Sequence, residues 1–236
     1  MTKLLVLAGG FGTRLRAVVE DVPKPLAPVA GRPYLHYLFE SWVTQGVTAI
    51  TFLLHYQAEQ MIAFLKQQQV DGPLTGCAVD IVVEPRPMGT GGAIAYAVRH
   101  LGIEGDFLVA NADTWLGNGI HNLASTVAPA IATVKVFESS RYGNLVIREG
   151  MVQRFREKHE SSGWGWINAG LYHLNSKLFA KWNESPFSIE RDVFPGLAQG
   201  GCLRAVELDT DFIDIGVPED YFRFCNWIEL GKKGVL

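Results

Sequence analysis

The chain has 236 residues, 48% of them hydrophobic and 19% charged, with a formal net charge of -3, enough apolar content for one large α/β domain. That balance lacks the basic footprint of nucleic-acid binders, so no nucleic-acid partner is expected. No apolar run approaches the roughly 18 residues of a membrane span, and the glycines that follow Leu4-Leu5-Val6-Leu7-Ala8 rule it out as a secretory leader, so neither a membrane partner nor export is expected.

Lys3–Ala8 reads as a buried first strand, with Gly9-Gly10-Phe11-Gly12-Thr13-Arg14 following at once. Pro33–Gln45 reads as a helix, with proline in its first turn and Gly46 just past its end. Ala49–Leu54 is a strand, Gln57–Gln67 a helix, Val79–Val83 a strand, Gly91–His100 a helix and Asp106–Ala110 a strand. After this alternation come Ala130–Phe137 and a hairpin, Leu145–Arg148 with Val152–Phe155, turning at Glu149-Gly150. Ile167–Leu174 is a further strand. Ser188–Leu197 reads as a short helix capped by Ser188 and frayed at Pro195. Phe212–Ile215 is the last strand, and Pro218–Leu230 a helix whose acidic start suits its dipole. The pattern is that of an α/β fold, a mostly parallel sheet covered by helices. The chain reads as one domain of two halves, about 1–112 and about 113–236. Cys77, Cys202 and Cys225 are odd in number and far apart, which fits free thiols in a cytoplasmic protein.

Glycines directly after a strand let backbone N–H groups close on a phosphate, and Arg14 adds a forked permanent cation. The Walker pattern fails, because Gly12-Thr13-Arg14 stands where Gly-Lys-Ser/Thr is needed. The dinucleotide pattern fails too, since Leu15 takes the place of its third glycine. Lys24, held between Pro23 and Pro25 on a stiff segment, is a second pre-positioned cation for the same phosphates.

Leu7-Ala8-Gly9-Gly10-Phe11-Gly12-Thr13-Arg14-Leu15 followed by Pro23-Lys24-Pro25 resembles the signature of the sugar-1-phosphate nucleotidyltransferase family. Within it, the stretch from Asp21 through Lys24 to Pro33 looks most like the D-glycero-D-manno-heptose 1-phosphate guanylyltransferases, with the mannose-1-phosphate guanylyltransferases next. The likeness runs on through Phe212-Ile213-Asp214-Ile215-Gly216 to Tyr221. It implies a Rossmann-like sheet with a nucleotide-binding first half and a β-rich, sugar-binding second half. The left-handed β-helix of larger members is not expected here. It also implies Mg²⁺-dependent transfer of a nucleotidyl group from a triphosphate to a sugar 1-phosphate, within a capsule or other surface-glycan pathway.

By the same resemblance, Leu7, Ala8, Gly9, Gly10, Gly12, Thr13, Arg14 and Lys24 surround the nucleotide. Glu84 to Gly92 holds the base, with Gly89 and Thr90 beside it and Glu84 in contact. Guanine presents N1–H and N2–H₂ side by side, a pair that one carboxylate accepts, so Glu84 favours GTP; otherwise it is a solvated acid at a strand end. Asp113 and Asp214 resemble the metal-binding aspartates, and Mg²⁺ prefers one or two carboxylates plus substrate oxygens. Asn111, Gly143, Glu157, Lys158, Asn168 and Ala169 match the sugar site, Lys158 taking the sugar phosphate. His159 stands where the family often has proline and receives no role. Trp164 and Trp166 read as core or lid packing before sugar stacking. Arg14, Lys24, Asp113, Lys158 and Asp214 are the expected catalytic set. The alternatives are a uridylyl- or thymidylyltransferase for another sugar phosphate, and a non-catalytic nucleotide-sugar sensor. The aromatic C-terminal helix (Tyr221, Phe222, Phe224, Trp227) fits either core or a homodimer interface.

Overall fold

Leu4-Leu5-Val6-Leu7 is apolar throughout, and the computed structural model places it as β1 (Leu4–Leu7) inside the main sheet, paired on both edges. The structure describes residues 3–137, 139, 142, 144–156 and 163–232. A small hairpin, β2 (Pro28–Val29) and β3 (Arg32–Pro33), precedes α1 (Tyr34–Thr44). Then come β4 (Ala49–Leu54), α2 (Ala58–Asp71), β5 (Ala78–Val83), α3 (Gly89–His100), β6 (Asp106–Asn111), β7 (Thr114–Leu116) and α4 (Ile120–Ala124). The second half holds β8 (Ala130–Val136), β9 (Asn144–Arg148), β10 (Met151–Arg156), β11 (Gly165–Asn175), α5 (Phe194–Gln199), β12 (Arg204–Leu208), β13 (Phe212–Asp214) and α6 (Pro218–Glu229).

Nine strands form one sheet in the order β5-β4-β1-β6-β11-β8-β12-β10-β9. The first four are parallel, in the third–second–first–fourth order of a Rossmann half. From β11 onward the pairing turns mostly antiparallel, with β12 parallel to β8. Alternation along β1 sends Leu4 and Val6 to one face and Leu5 to the other. One core therefore lies under α1, α2 and α6, and the second under α3 and α5. The α/β, Rossmann-like class is as expected, and no described residue forms a left-handed β-helix. No helix among the described residues is long and apolar enough to cross a membrane.

Several local expectations are corrected. Ser188–Leu197 is not one frayed helix. Ile189–Val193 makes a single π-helical turn and α5 follows, with Pro195 in its first turn, where the missing N–H costs nothing. Phe212–Ile215 does not join the main sheet; β13 pairs with β7 in a separate two-stranded ribbon. β2, β3, β7 and α4 are too short to stand out as patterns. β12 carries no strand pattern in the sequence because only its last residue is fully buried. In α6, Tyr221, Phe224 and Trp227 belong to the first core and Phe222 is exposed. The Glu149-Gly150 turn has φ of 52° and 71°, the paired positive angles of a tight hairpin.

Candidate functional site

The carboxyl ends of β1 and β6 flank the point where strand order reverses, which is where open α/β sheets bind ligands. A cavity of about 420 Å³ opens there. Every residue expected around the nucleotide lines it: Leu7, Ala8, Gly9, Gly10, Gly12, Thr13, Arg14, Lys24, Glu84, Gly89 and Thr90. Between Ala8, whose N–H donates to Leu53 O, and Leu15, whose N–H donates to Gly12 O, the loop's backbone N–H groups meet no acceptor among the described residues. A run of unpaired N–H groups beside Arg14 and Lys24 can receive an anion.

Glu84 is not a solvated strand-end acid, being only 7% exposed. Its Oε2 accepts the Met88 N–H at 3.0 Å, which folds the segment after β5 back over the cavity. Burial pushes its carboxyl above the ordinary range, against the lowering by that N–H and by His55. A Cβ on Gly9 would stand 3.0 Å from Glu84 Oε1, so the glycine lets the loop and the acid pack together. Gly89 has φ +69°, and a Cβ there would meet Phe187 O at 2.5 Å. Phe187 O also accepts the Gly91 and Gly92 N–H groups, and its N–H donates to Met88 O, so a strap from the second half clamps this segment.

Asp113 follows β6 and Asp214 ends β13. The β7–β13 ribbon sets Asp214 opposite Thr114, which brings together two acids far apart in the chain. Lys24 Nζ lies between them, 2.7 Å from Asp113 Oδ2 and 3.4 Å from Asp214 Oδ1. Burial raises the Asp113 carboxyl, but Lys24, helped by the Thr114 hydroxyl and a backbone N–H, holds the group below the usual range. Asp214 is pushed up, first by burial and then by Asp113. The Asp214 Oδ1 also accepts the Gly216 N–H. The carboxylates fit a hard divalent cation: two converging acids already neutralised by a cationic group, beside a receptor for phosphate oxygens. Among the described residues no cluster of three or more His, Cys, Asp or Glu forms an all-protein site.

A second cavity, about 500 Å³, adjoins the first and shares Arg14, Thr90, Asn111 and Gly216 with it. Asn168, Tyr172, Phe155, Glu190 and Asp214 also line it. Of the expected sugar residues, Asn111 and Asn168 are here, and Asn111 Oδ1 is buried with no hydrogen-bond partner among the described residues. Ala169 does not line this cavity: β11 turns its methyl into the first core, between Asn168 and Gly170, which do. Gly143, Glu157, Lys158 and His159 lie outside the described residues. Trp166 packs on the second core, while Trp164 is exposed and meets Phe137 edge-on. Sequence reasoning missed Phe11, His55, Tyr172 and Glu190. Phe11 had a signal, as the variable position of the glycine loop. Glu190 had none, since a glutamate beside Arg191 and Asp192 reads as a solvated helix face.

The nucleotidyl transferase family model matches residues 3–229. The probable mannose-1-phosphate guanylyltransferase 2 of Oryza sativa subsp. japonica is 35% identical over 229 residues, covering 93% of this chain and 62% of that protein. The chain thus spans less than two thirds of such relatives. The crystal structure of HddC from Yersinia pseudotuberculosis is 36% identical, with a TM-score of 0.84 over 97% of this chain and 100% of that one. Its complex with GMP-PN gives 35% identity and a TM-score of 0.83 over the same shares. With the family model matching nearly the whole chain, the chain belongs to the nucleotidyl transferase family.

Proposed function

We propose that the protein transfers a guanylyl group from GTP to a sugar 1-phosphate, releasing pyrophosphate. D-glycero-α-D-manno-heptose 1-phosphate is the first acceptor and mannose 1-phosphate the second. The observation that carries this reading is the meeting of two cavities over one charged centre, Lys24 with Asp113 and Asp214. One cavity has the glycine loop of a triphosphate receptor. The other is walled by amide and hydroxyl groups suited to a polyol. Support for guanine comes from the buried Glu84 acceptor and from relatives named as guanylyltransferases.

The nucleophile, an oxygen of the sugar phosphate, is already anionic, so no side chain has to remove a proton. The task is to hold two anions in line and offset their repulsion. The loop N–H groups and Arg14 grip the triphosphate. Lys24 stands at the border where the two phosphates meet, and Lys158 is assigned to the incoming sugar phosphate. Asp113 and Asp214 would hold Mg²⁺, which supplies charge neutralisation at the transferring phosphorus.

Pyrophosphate release, screened with four nucleoside triphosphates against glucose, mannose and heptose 1-phosphates, tests the proposal. Release with GTP and a manno-configured sugar is expected. Turnover only with UTP or dTTP overturns the base reading, and no turnover with any pair overturns the activity.

A further inference from the structure

The second cavity contains a carboxylate that the charged centre does not use. Glu190 sits on the π-helical turn Ile189–Val193, a geometry that re-aims side chains and clusters at functional sites. The turn is fixed at its start: Ser188 Oγ accepts the Arg191 N–H at 3.3 Å, and Asp192 Oδ2 accepts the Ser188 N–H at 2.7 Å. Glu190 Oε2 accepts two hydroxyls from different elements, Thr90 at 2.5 Å and Ser188 at 2.7 Å. Thr90 Oγ1 in turn accepts the Ile189 N–H at 3.0 Å, which locks the arrangement to the start of α3.

Oε1 is held far less. Among the described residues it has the Tyr172 hydroxyl alone, at 3.3 Å, and that hydroxyl receives Asn168 Nδ2 at 3.0 Å. Asn168 Oδ1 already takes the Gly170 N–H at 3.0 Å. In this stretch of wall the amide oxygen is therefore used. Of the carboxylate's four or so lone-pair sites, those left over lie mainly on Oε1. A carboxylate with spare sites, in a cavity that Asn168 and Tyr172 also line, suits an alcohol donor, and a charge-assisted hydrogen bond of that kind is strong.

We infer that Glu190 is a specificity-determining residue, whose Oε1 accepts one hydroxyl of the bound sugar while Thr90 and Ser188 hold Oε2. The inference rests on reading the second cavity as the sugar subsite. Glu190→Gln separates this role from scaffolding. The amide oxygen keeps the Thr90 and Ser188 bonds, and Nε2 turns the sugar-facing acceptor into a donor.

The experiment uses the full chain, GTP, the sugar 1-phosphate that it turns over fastest, and the monodeoxy analogues of that sugar. In Glu190→Gln the KM for the sugar phosphate rises about tenfold or more, on the scale of one charge-assisted hydrogen bond. The KM for GTP stays within about twofold, on the premise that the lost contact touches only the sugar. One deoxy analogue costs the wild type about tenfold, and the variant no further. If every analogue loses the same factor in both proteins, or both KM values rise together, Glu190 is scaffolding and the inference falls. If no deoxy analogue costs the wild type more than about threefold, it falls without the variant. If the wild type turns over no sugar 1-phosphate, the sugar reading falls first and takes the inference with it.

Discussion

Replacing Lys24 by methionine removes the ammonium from between two acids while keeping the stem. The lysine side chain is 9% exposed, against 37% for Asp113 and 30% for Asp214. Removing one partner of a fully buried ion pair costs about 3–5 kcal/mol, and an exposed pair is worth about 0–1 kcal/mol. With carboxylates about a third exposed, solvent screening brings the expected loss to about 1–2 kcal/mol. For a chain of this length that is a fall in Tm of about 3–6 °C. Lys24 holds the Asp113 carboxyl below its ordinary value of 3.8. The stability it confers is therefore present above that value and is lost as pH falls through the lower, folded one. The wild-type advantage accordingly shrinks toward acid pH. A divalent cation takes over the role of the ammonium, so millimolar Mg²⁺ raises the Tm of Lys24→Met more than that of the wild type. Thermal scans of both proteins across pH, with and without Mg²⁺, give the answer. An unchanged Tm, or a larger Mg²⁺ shift in the wild type, refutes the reasoning.

Asp113→Asn is expected to lower kcat/KM by about 10²-fold, the scale of one preorganised charge contact, and to lower Tm by no more than Lys24→Met does; near-normal turnover in saturating Mg²⁺ removes Asp113 from the mechanism. Glu84→Gln keeps an acceptor for the Met88 N–H but loses the buried charge. Burial raises the Glu84 carboxyl above 4.5, so the folded protein binds that proton more tightly than the unfolded chain. Its contribution to stability is lost as pH rises through this window, and the variant should match or exceed the wild-type Tm at pH 7, the gap closing below the ordinary value; a variant that melts lower at pH 7 than at pH 4 relative to wild type contradicts this. Its KM for GTP rises about tenfold if the carboxylate reads the base, and an unchanged KM assigns base reading to the backbone. Gly89→Ala meets Phe187 O at 2.5 Å with φ +69°. The left-handed conformation alone costs about 1–2 kcal/mol, so a loss of stability with a raised KM for the triphosphate is expected, measured by thermal scan and initial rates.

The first half of the fold was legible because local pattern and tertiary role coincide there. Ala49–Leu54 is apolar but for the buried Thr51, and Asp106–Asn111 is apolar between its two polar ends, because both are covered on two faces. The glycine loop was legible for a similar reason: the proposed phosphate receptor is made of contiguous backbone, so its geometry is written in neighbouring residues. Glu84 was half legible. Its place after a strand was clear, but its burial is set by Gly9 and Met88, which arrive from elsewhere.

What escaped sequence reasoning depends on contacts between distant elements. Asp214 was picked out as an acid at a strand end, yet its strand is not in the main sheet. Among the described residues β13 pairs only with β7, and neither is long enough to bury a face of its own. The worth of that ribbon lies in register: Asp214 opposite Thr114 leaves Asp113 and Asp214 on one ammonium. A shift of one residue would turn Asp214 to the other face and leave Lys24 with a single partner. The same logic holds for Glu190, whose oxygens are oriented by Thr90 from α3 and Tyr172 from β11. In both places the charged residue is visible in the chain, while its orientation comes from elements distant in sequence. Substitutions in the ribbon that preserve every acid but disturb its pairing should therefore damage the charged centre as much as removing an aspartate does.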